Sequence, residues 1–347
     1  MNHIEKDADN GRLQSFISLA SRTIIKIGSH NFEIYDIGPK DILCPIICLP
    51  PCTCDATIYY ELQLRLSKNG FRIISINYPR TYNANEFCES FMRLIHELQL
   101  TAVHLVGSSL GGFLAQKFYL YSMHMDCPVK SLILCNTFTD TSVFASHTSS
   151  RFMWLMPAFS LRMMVEYPAV ANDADDATKL AMSMAKSQLN SMPQADLAAR
   201  LTMNGMPDAV DVKGLQEADI IIIEVGDLDA SYREHFGSVN RAYPNAKVAH
   251  LELGGQFPFL SRAEEFAAYM EVCMTCFILV LFLASSCYPC VDKDTLAYCL
   301  TFPARYIQYL EIGDFLSSPI FLPFKANSVF VPCQRNFRTR IDLVGHI

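Results

Sequence analysis

The sequence predicts an α/β architecture, a mostly parallel eight-stranded sheet with helices on both faces, on three observations. From residue 20 onward, apolar runs of strand length alternate with longer segments of helical period. That is the pattern of a parallel sheet whose crossovers are helices. Several of the runs are unbroken Ile, Val and Leu, which suits strands buried on both faces. One run leads through a glycine-flanked serine directly into a helical stretch.

In chain order the predicted strands are Thr23–Ile27, Phe32–Asp36, Pro45–Leu49, Phe71–Asn77, Ala102–Gly107, Ser131–Cys135, Ile220–Val225 and Lys247–Leu253. The first two alternate more clearly and read as an antiparallel edge hairpin closed by Gly28-Ser29-His30-Asn31. Helices are predicted over Cys54–Lys68, Asn85–Leu98, Leu110–Met123, Ser231–Tyr243 and Arg262 to about Met274. Between Asp140 and Gly214 the rhythm turns helical without strands, and 9 of the chain's 15 methionines fall there. The segment reads as a helical cap inserted over about 141–214. Its methionines either pack cap against core or offer an adaptable surface to apolar ligands or partners. Residues 1–20 are an N-terminal extension, 21–272 the domain, and 273–347 an apolar, Cys-rich tail.

Composition agrees with one large globular domain. Hydrophobic residues make up 51% of the 347 and charged ones 18%, enough apolar side chain for a core and too little charge for long disordered tracts. Lys and Arg number 28 against 35 Asp and Glu, and no basic run could track a phosphate backbone, so nucleic acid is excluded as a partner. The acidic N-terminus has no apolar stretch of signal-peptide length, which places the domain in the cytosol. Thirteen cysteines, an odd number, sit partly in apolar runs such as Ile47–Leu49 and Leu132–Cys135 and read as reduced core thiols.

The sharpest motif is Gly107-Ser108-Ser109-Leu110-Gly111, with strand Ala102–Val106 before it and the helical stretch Gly112–Phe118 after it. G-x-S-x-G in that context is the nucleophile elbow of the α/β-hydrolase fold. Small flanking residues permit a strained turn that lifts the Ser109 hydroxyl above the sheet edge, at the positive end of a helix. An oxyanion hole on this plan needs two backbone N–H groups: Leu110 supplies one, and Cys52 in the loop Pro50-Pro51-Cys52-Thr53-Cys54 is placed for the other. Two prolines make that loop stiff and poor in donors, so it equally reads as a plain connector. The acid position falls on Asp229, in Gly226-Asp227-Leu228-Asp229 after a buried strand, with Asp140 as the fallback. Either also suits a helix cap.

The base position is where hydrolase chemistry fails. After the last strand the chain reads Leu253-Gly254-Gly255-Gln256-Phe257-Pro258, and Gln256 stands where a histidine belongs. A carboxamide has no titratable nitrogen near neutral pH and cannot take the serine proton. His104 and His250 lie in strands, His147 in the cap and His235 in the helix after Asp229, and none replaces it without a special geometry. The balance leans away from an enzyme, although an oxyanion hole alone can sustain a residual rate. No cofactor is called for.

With these motifs placed, the chain resembles the maspardin family over roughly residues 22–272. The resemblance rests on Ile47–Cys52 (ICLPPC), His96–Phe118 (HELQLTAVHLVGSSLGGFLAQKF), Ser131–Phe144 (SLILCNTFTDTSVF), Trp154–Phe159 (WLMPAF), Tyr243–Ala246 (YPNA) and Gly254–Leu260 (GGQFPFL). It implies a non-secreted α/β-hydrolase-fold protein without a complete triad. Such a protein is cytosolic, partly associated with endosomal and trans-Golgi membranes, and binds partners, the cytoplasmic tail of the receptor CD4 among them. The resemblance also implies a carboxamide at the histidine position, Asn there and Gln256 here. Asp229 is a departure, an acid where the family is expected to have none.

The tail lies outside the resemblance. Val272–Val291 is 20 residues without a charge, long enough for a membrane span, but its apolar centre, Phe277–Ala284, is short. Cys273, Cys276, Cys287 and Cys290 form two C-x-x-C pairs with zinc-binding spacing, but no turn between them brings the pairs together. A buried helix or an irregular, aberrant tail completes the alternatives. The reading that results is a catalytically silent or near-silent hydrolase fold that binds a protein partner or an apolar small molecule. A slow serine hydrolase of esters or thioesters is the alternative, and a tail-tethered membrane adaptor a third.

Overall fold

The computed structural model describes residues 3–145, 150–165, 167, 174–272 and 274. Eight strands, β1 Ser21–Ile27, β2 His30–Ile37, β3 Ile46–Leu49, β4 Ile73–Asn77, β5 Val103–Ser108, β6 Val129–Cys135, β7 Ile220–Val225 and β8 Lys247–Leu251, form one sheet in the order β1-β2-β4-β3-β5-β6-β7-β8. β1 pairs with β2, and β2 with β4, antiparallel; the other neighbours are parallel. The unbroken apolar runs lie in the middle of the sheet, where helices cover both faces. The edge hairpin is tighter than the sequence suggests. His30 and Asn31 pair with Ile27 and Lys26, so the loop is only Gly28-Ser29, with Gly28 supplying the positive φ of 60° that a two-residue turn needs.

The helices are α1 His3–Leu19, α2 Tyr60–Lys68, α3 Ala84–Glu97, α4 Leu110–Ser122, α5 Ser142–Ala145, α6 Ala158–Met163, α7 Asp176–Ser191, α8 Gln194–Gly205, α9 Ala230–Ala242 and α10 Pro258–Ser261, and residues 263–272 are helical as well. Three of them differ from the sequence reading. The stretch read as an extension contains α1, anchored by Phe16, which is fully buried with its ring 5.8 Å from Tyr35 and 6.3 Å from Tyr60. The helix expected from Cys54 begins later, because the Asp55 carboxylate accepts the Thr57 N–H at 2.8 Å and caps a 3-10 turn over Ala56–Tyr59 ahead of α2. The final helix is split: α10 starts with a proline in its first turn, and Arg262, at φ −130°, interrupts the run before residue 263.

The core packs α3 and α4 on the sheet through Phe87, Phe91, Phe113 and Phe118 against Val103, Leu105, Leu132 and Leu134. Each such side chain contributes about 1.5–3 kcal/mol on burial, so this layer fixes where the β5–α4 junction stands. Between β6 and β7 the described residues are helical, α5 to α8, with a small core of their own made by Met153, Leu161, Leu189, Met192, Leu197 and Ala198. Met182 and Met203 are buried too, whereas Met163 is 78% exposed. Most of the cap's described methionines therefore serve packing. Every described cysteine is free, and all but Cys44 are buried. No helix among the described residues is long and apolar enough to cross a membrane. The span and zinc readings of the tail rest on Cys273 and residues 275–347, outside the described residues.

Candidate functional site

The β5–α4 junction forms a strained elbow. Ser109 sits at φ 52° and ψ −124°, a region that costs a non-glycine residue about 1–3 kcal/mol. Its surroundings over-determine that conformation. The Ser109 N–H donates to the Asn136 carbonyl at 2.9 Å, and the Thr137 hydroxyl donates to the Ser109 carbonyl at 2.6 Å. The N–H groups of Gly112 and Phe113 donate to that same carbonyl as α4 begins. The flanking glycines are steric necessities. A Cβ on Gly107 would lie 2.5 Å from the Gly111 carbonyl oxygen, and one on Gly111 would lie 2.0 Å from that of Leu49.

The same close approach sets the first turn of α4 against the Leu49–Pro50 backbone, where the loop carrying Cys52 begins. Neither the Leu110 N–H nor the Cys52 N–H has an acceptor among the described residues. The loop is fixed from behind. The Tyr59 hydroxyl donates to the Leu49 carbonyl at 3.0 Å, the Tyr78 hydroxyl to that of Pro50, and the Arg200 guanidinium to that of Cys54. Burial pushes the Cys52 thiol up to about 12, so it stays protonated and is no nucleophile.

One residue to which the sequence reading gave no role, Asn136, ties the Gln256 backbone to that of Ser109. Asn136, at a positive φ of 44°, accepts from Ser109 through its carbonyl and donates its side-chain amide to the carbonyls of Gly255 and Gln256 at 3.2 and 3.1 Å. The carboxamide of Gln256 is half-buried and has no hydrogen-bond partner among the described residues. The loop is held from its other side by Asp227, whose carboxylate accepts the N–H groups of Gly254 and Gly255 at 3.1 and 2.9 Å. Asp229 instead stands ahead of α9, its carbonyl accepting the Arg233 N–H at 2.9 Å, in the position of a helix cap. Asp140 accepts the Ser142 N–H at 2.7 Å at the start of α5. Asp227 is thus a carboxylate held on the Gln256 loop. Its only signal in the sequence was its place in Gly226-Asp227-Leu228-Asp229.

No described histidine hydrogen-bonds to Ser109. His104 lies on β5 with Nδ1 2.8 Å from the Ser131 hydroxyl, and burial pushes its pKa down to about 4. His250 on β8 stands 3.7 Å from Glu224, and His30 stands 3.5 Å from Glu86. The side chains of His147 and His235 are outside the described residues. Asn136 and Thr137 also line a cavity of about 240 Å³ between β7 and α9, together with Ile222, Phe236 and Asn240.

Comparison with known proteins agrees with this architecture. Residues 48–269 match the Alpha/beta hydrolase family. Solved structures of the same fold include a carboxylesterase from Nitrososphaera gargenis, with TM-score 0.58 at 15% identity over 73% of this chain and 99% of that one. An esterase from Thermogutta terrifontis superposes with TM-score 0.59 at 16% identity, covering 74% and 98%. At these identities the likeness speaks for the fold alone. Maspardin of Mus musculus is 37% identical over 272 residues, covering 78% of this chain and 88% of its own, and maspardin of Danio rerio is 37% identical with coverage of 78% and 87%. By its elbow, its sheet order and this identity, the chain belongs to the maspardin family of α/β-hydrolase-fold proteins.

Proposed function

We propose that the chain is a near-silent hydrolase fold used for binding: a cytosolic adaptor, peripheral to endosomal and trans-Golgi membranes, that engages the cytoplasmic tail of a receptor of the CD4 type. The observation that carries the silent reading is Gln256 at the end of a loop fixed by Asn136 and Asp227. In this reading the loop that would carry the base is anchored and carries a carboxamide, which cannot take up a proton near neutral pH. The cap supports the binding half of the reading. Phe152, Trp154, Leu155, Phe159 and Met163 are each more than half exposed within a short stretch, an apolar surface of the kind partners cover. The second reading, a slow ester or thioester hydrolase, is favoured by the retained strain at Ser109 and by the unengaged N–H groups of Leu110 and Cys52.

A fluorophosphonate probe at neutral pH separates the two. The expected outcome is no labelling of the parent or of Ser109→Ala, and labelling in Gln256→His. Labelling of the parent that disappears in Ser109→Ala would sink the silent reading in favour of the slow hydrolase.

A further inference from the structure

The cavity of about 240 Å³ between β7 and α9 is lined by none of the residues at the nucleophile, acid, base or oxyanion positions. Arg233, Phe236, Gly237 and Asn240 line it from the helix, their spacing putting them on one face of α9. The facing wall is apolar, with Leu134 of β6 and Ile222 of β7 both buried. An apolar cavity of about 150 Å³ holds a benzene ring, so this one has room for a ring with a short substituent. Gly237 is the unexpected residue of the lining. Glycine inside a helix is destabilising relative to alanine, and a Cβ here would meet only the Arg241 guanidinium, at 3.8 Å, among the described residues. Packing does not demand the glycine, and its absent side chain leaves the cavity its space.

The polar groups of the lining say what would fill it. The Asn240 amide donates to a Glu224 carboxylate oxygen, while its Oδ1 is buried with no donor among the described residues. An acceptor left unpaired away from water is disfavoured, so an occupant that brings an O–H or N–H to it is favoured. The lining residues that reach water mark the opening. The side chains of Glu224 and His250 are 38% and 50% exposed and stand 3.7 Å apart, and Arg233 is exposed as well. With Glu224 and Arg233 the opening carries charge of both signs and selects neither an anion nor a cation. Deeper in, Leu134, Ile222 and Val239 would strip a charged group of its water without replacing it. An uncharged molecule with an apolar body and one donor meets all of these conditions.

We propose that this cavity binds an uncharged, ring-sized apolar alcohol of the phenol type, whose hydroxyl donates to Asn240 Oδ1 and whose ring lies against Leu134, Ile222 and Phe236. The test is calorimetric titration of the full-length protein with 4-ethylphenol and, separately, with 4-ethylanisole, in which a methyl group replaces the donor hydrogen. The parent is expected to bind the phenol at least fivefold more tightly than the ether. Asn240→Leu should abolish that preference by weakening the phenol and sparing the ether. Gly237→Leu puts a side chain on the cavity face of α9. It should weaken both probes at least tenfold and raise the melting temperature, a combination that damage to the fold would not produce. Should Asn240→Leu not fold, the parent's preference and the Gly237→Leu titration still decide the matter. Binding of neither probe, equal affinity of the parent for both, a folded Asn240→Leu that keeps the preference, or a Gly237→Leu that binds like the parent overturns the proposal. It stands apart from the silent reading of Ser109. Fluorophosphonate labelling would overturn silence and leave this cavity's preference in place, whereas a missing preference would remove the ligand and leave the Ser109 result as it is.

Discussion

Ser109 is held by the fold in a disfavoured backbone conformation. Its φ of 52° and ψ of −124° suit glycine, and the hydrogen bonds from Thr137 and to Asn136 keep it there. Strain of this kind is retained where function needs the side chain, and it can be measured as stability. Ser109→Gly removes a strain of about 1–3 kcal/mol at an entropic cost of about 0.5–1 kcal/mol, so a net gain of about 1 kcal/mol is expected. Ser109→Ala keeps a Cβ in the same conformation and should change stability by less than about 0.5 kcal/mol. Urea unfolding of the two variants beside the parent reads the difference, and equal midpoints for all three would show that the elbow stores no strain. Gln256 makes the complementary point. In the proposed reading the site keeps the costly conformation at Ser109 while a carboxamide stands at the base position.

At the scale of elements, the loop between β8 and α10 is placed by its neighbours and not by its own sequence. Asp227, after β7, holds the N–H groups of Gly254 and Gly255, and Asn136, after β6, holds the carbonyls of Gly255 and Gln256. Asp227→Ala leaves two N–H groups without a protein acceptor at a site open to water, a loss of about 1–2 kcal/mol. Amide exchange at Gly254 and Gly255 should quicken in that variant and stay unchanged in Asp229→Ala. The reverse pattern would assign the anchoring of this loop to Asp229. The sequence showed the strands, the elbow and the missing base because each is written in a short contiguous run, such as Ile220–Val225 or Gly107–Gly111. It put the acid position on Asp229, with Asp140 as the fallback, and gave no role to Asp227, because the bonds from its carboxylate to Gly254 and Gly255 depend on the path of a loop far along the chain. Asn136 was invisible for the same reason, its three hydrogen bonds being made to residues far along the chain. α1 escaped notice because Phe16 is fully buried in a helix whose other residues carry little apolar periodicity.

At the scale of the whole molecule, the question is whether cap and sheet open together. The contacts between them are specific and distributed. The Gln188 side chain on α7 accepts the Asp55 N–H at 3.2 Å and donates to the Thr57 hydroxyl at 2.9 Å, Arg200 on α8 holds the Cys54 carbonyl, and Arg262 pairs with Asp175. All of them converge on the loop after β3 or on the segment after Gln256, the two backbones that frame Ser109. A cap clamped at these points cannot swing away without loosening the site, so its stability and that of the sheet should be one quantity. Gln188→Ala removes two buried hydrogen bonds and should cost about 2 kcal/mol. If cap and sheet are one cooperative unit, protection against amide exchange falls by about the same factor, roughly 30-fold, in the slowest amides of α7 and of β5. A fall confined to α7 would make the cap a separate unit that opens over an intact sheet, and ligands would then reach Ser109 by cap opening and not through a fixed mouth.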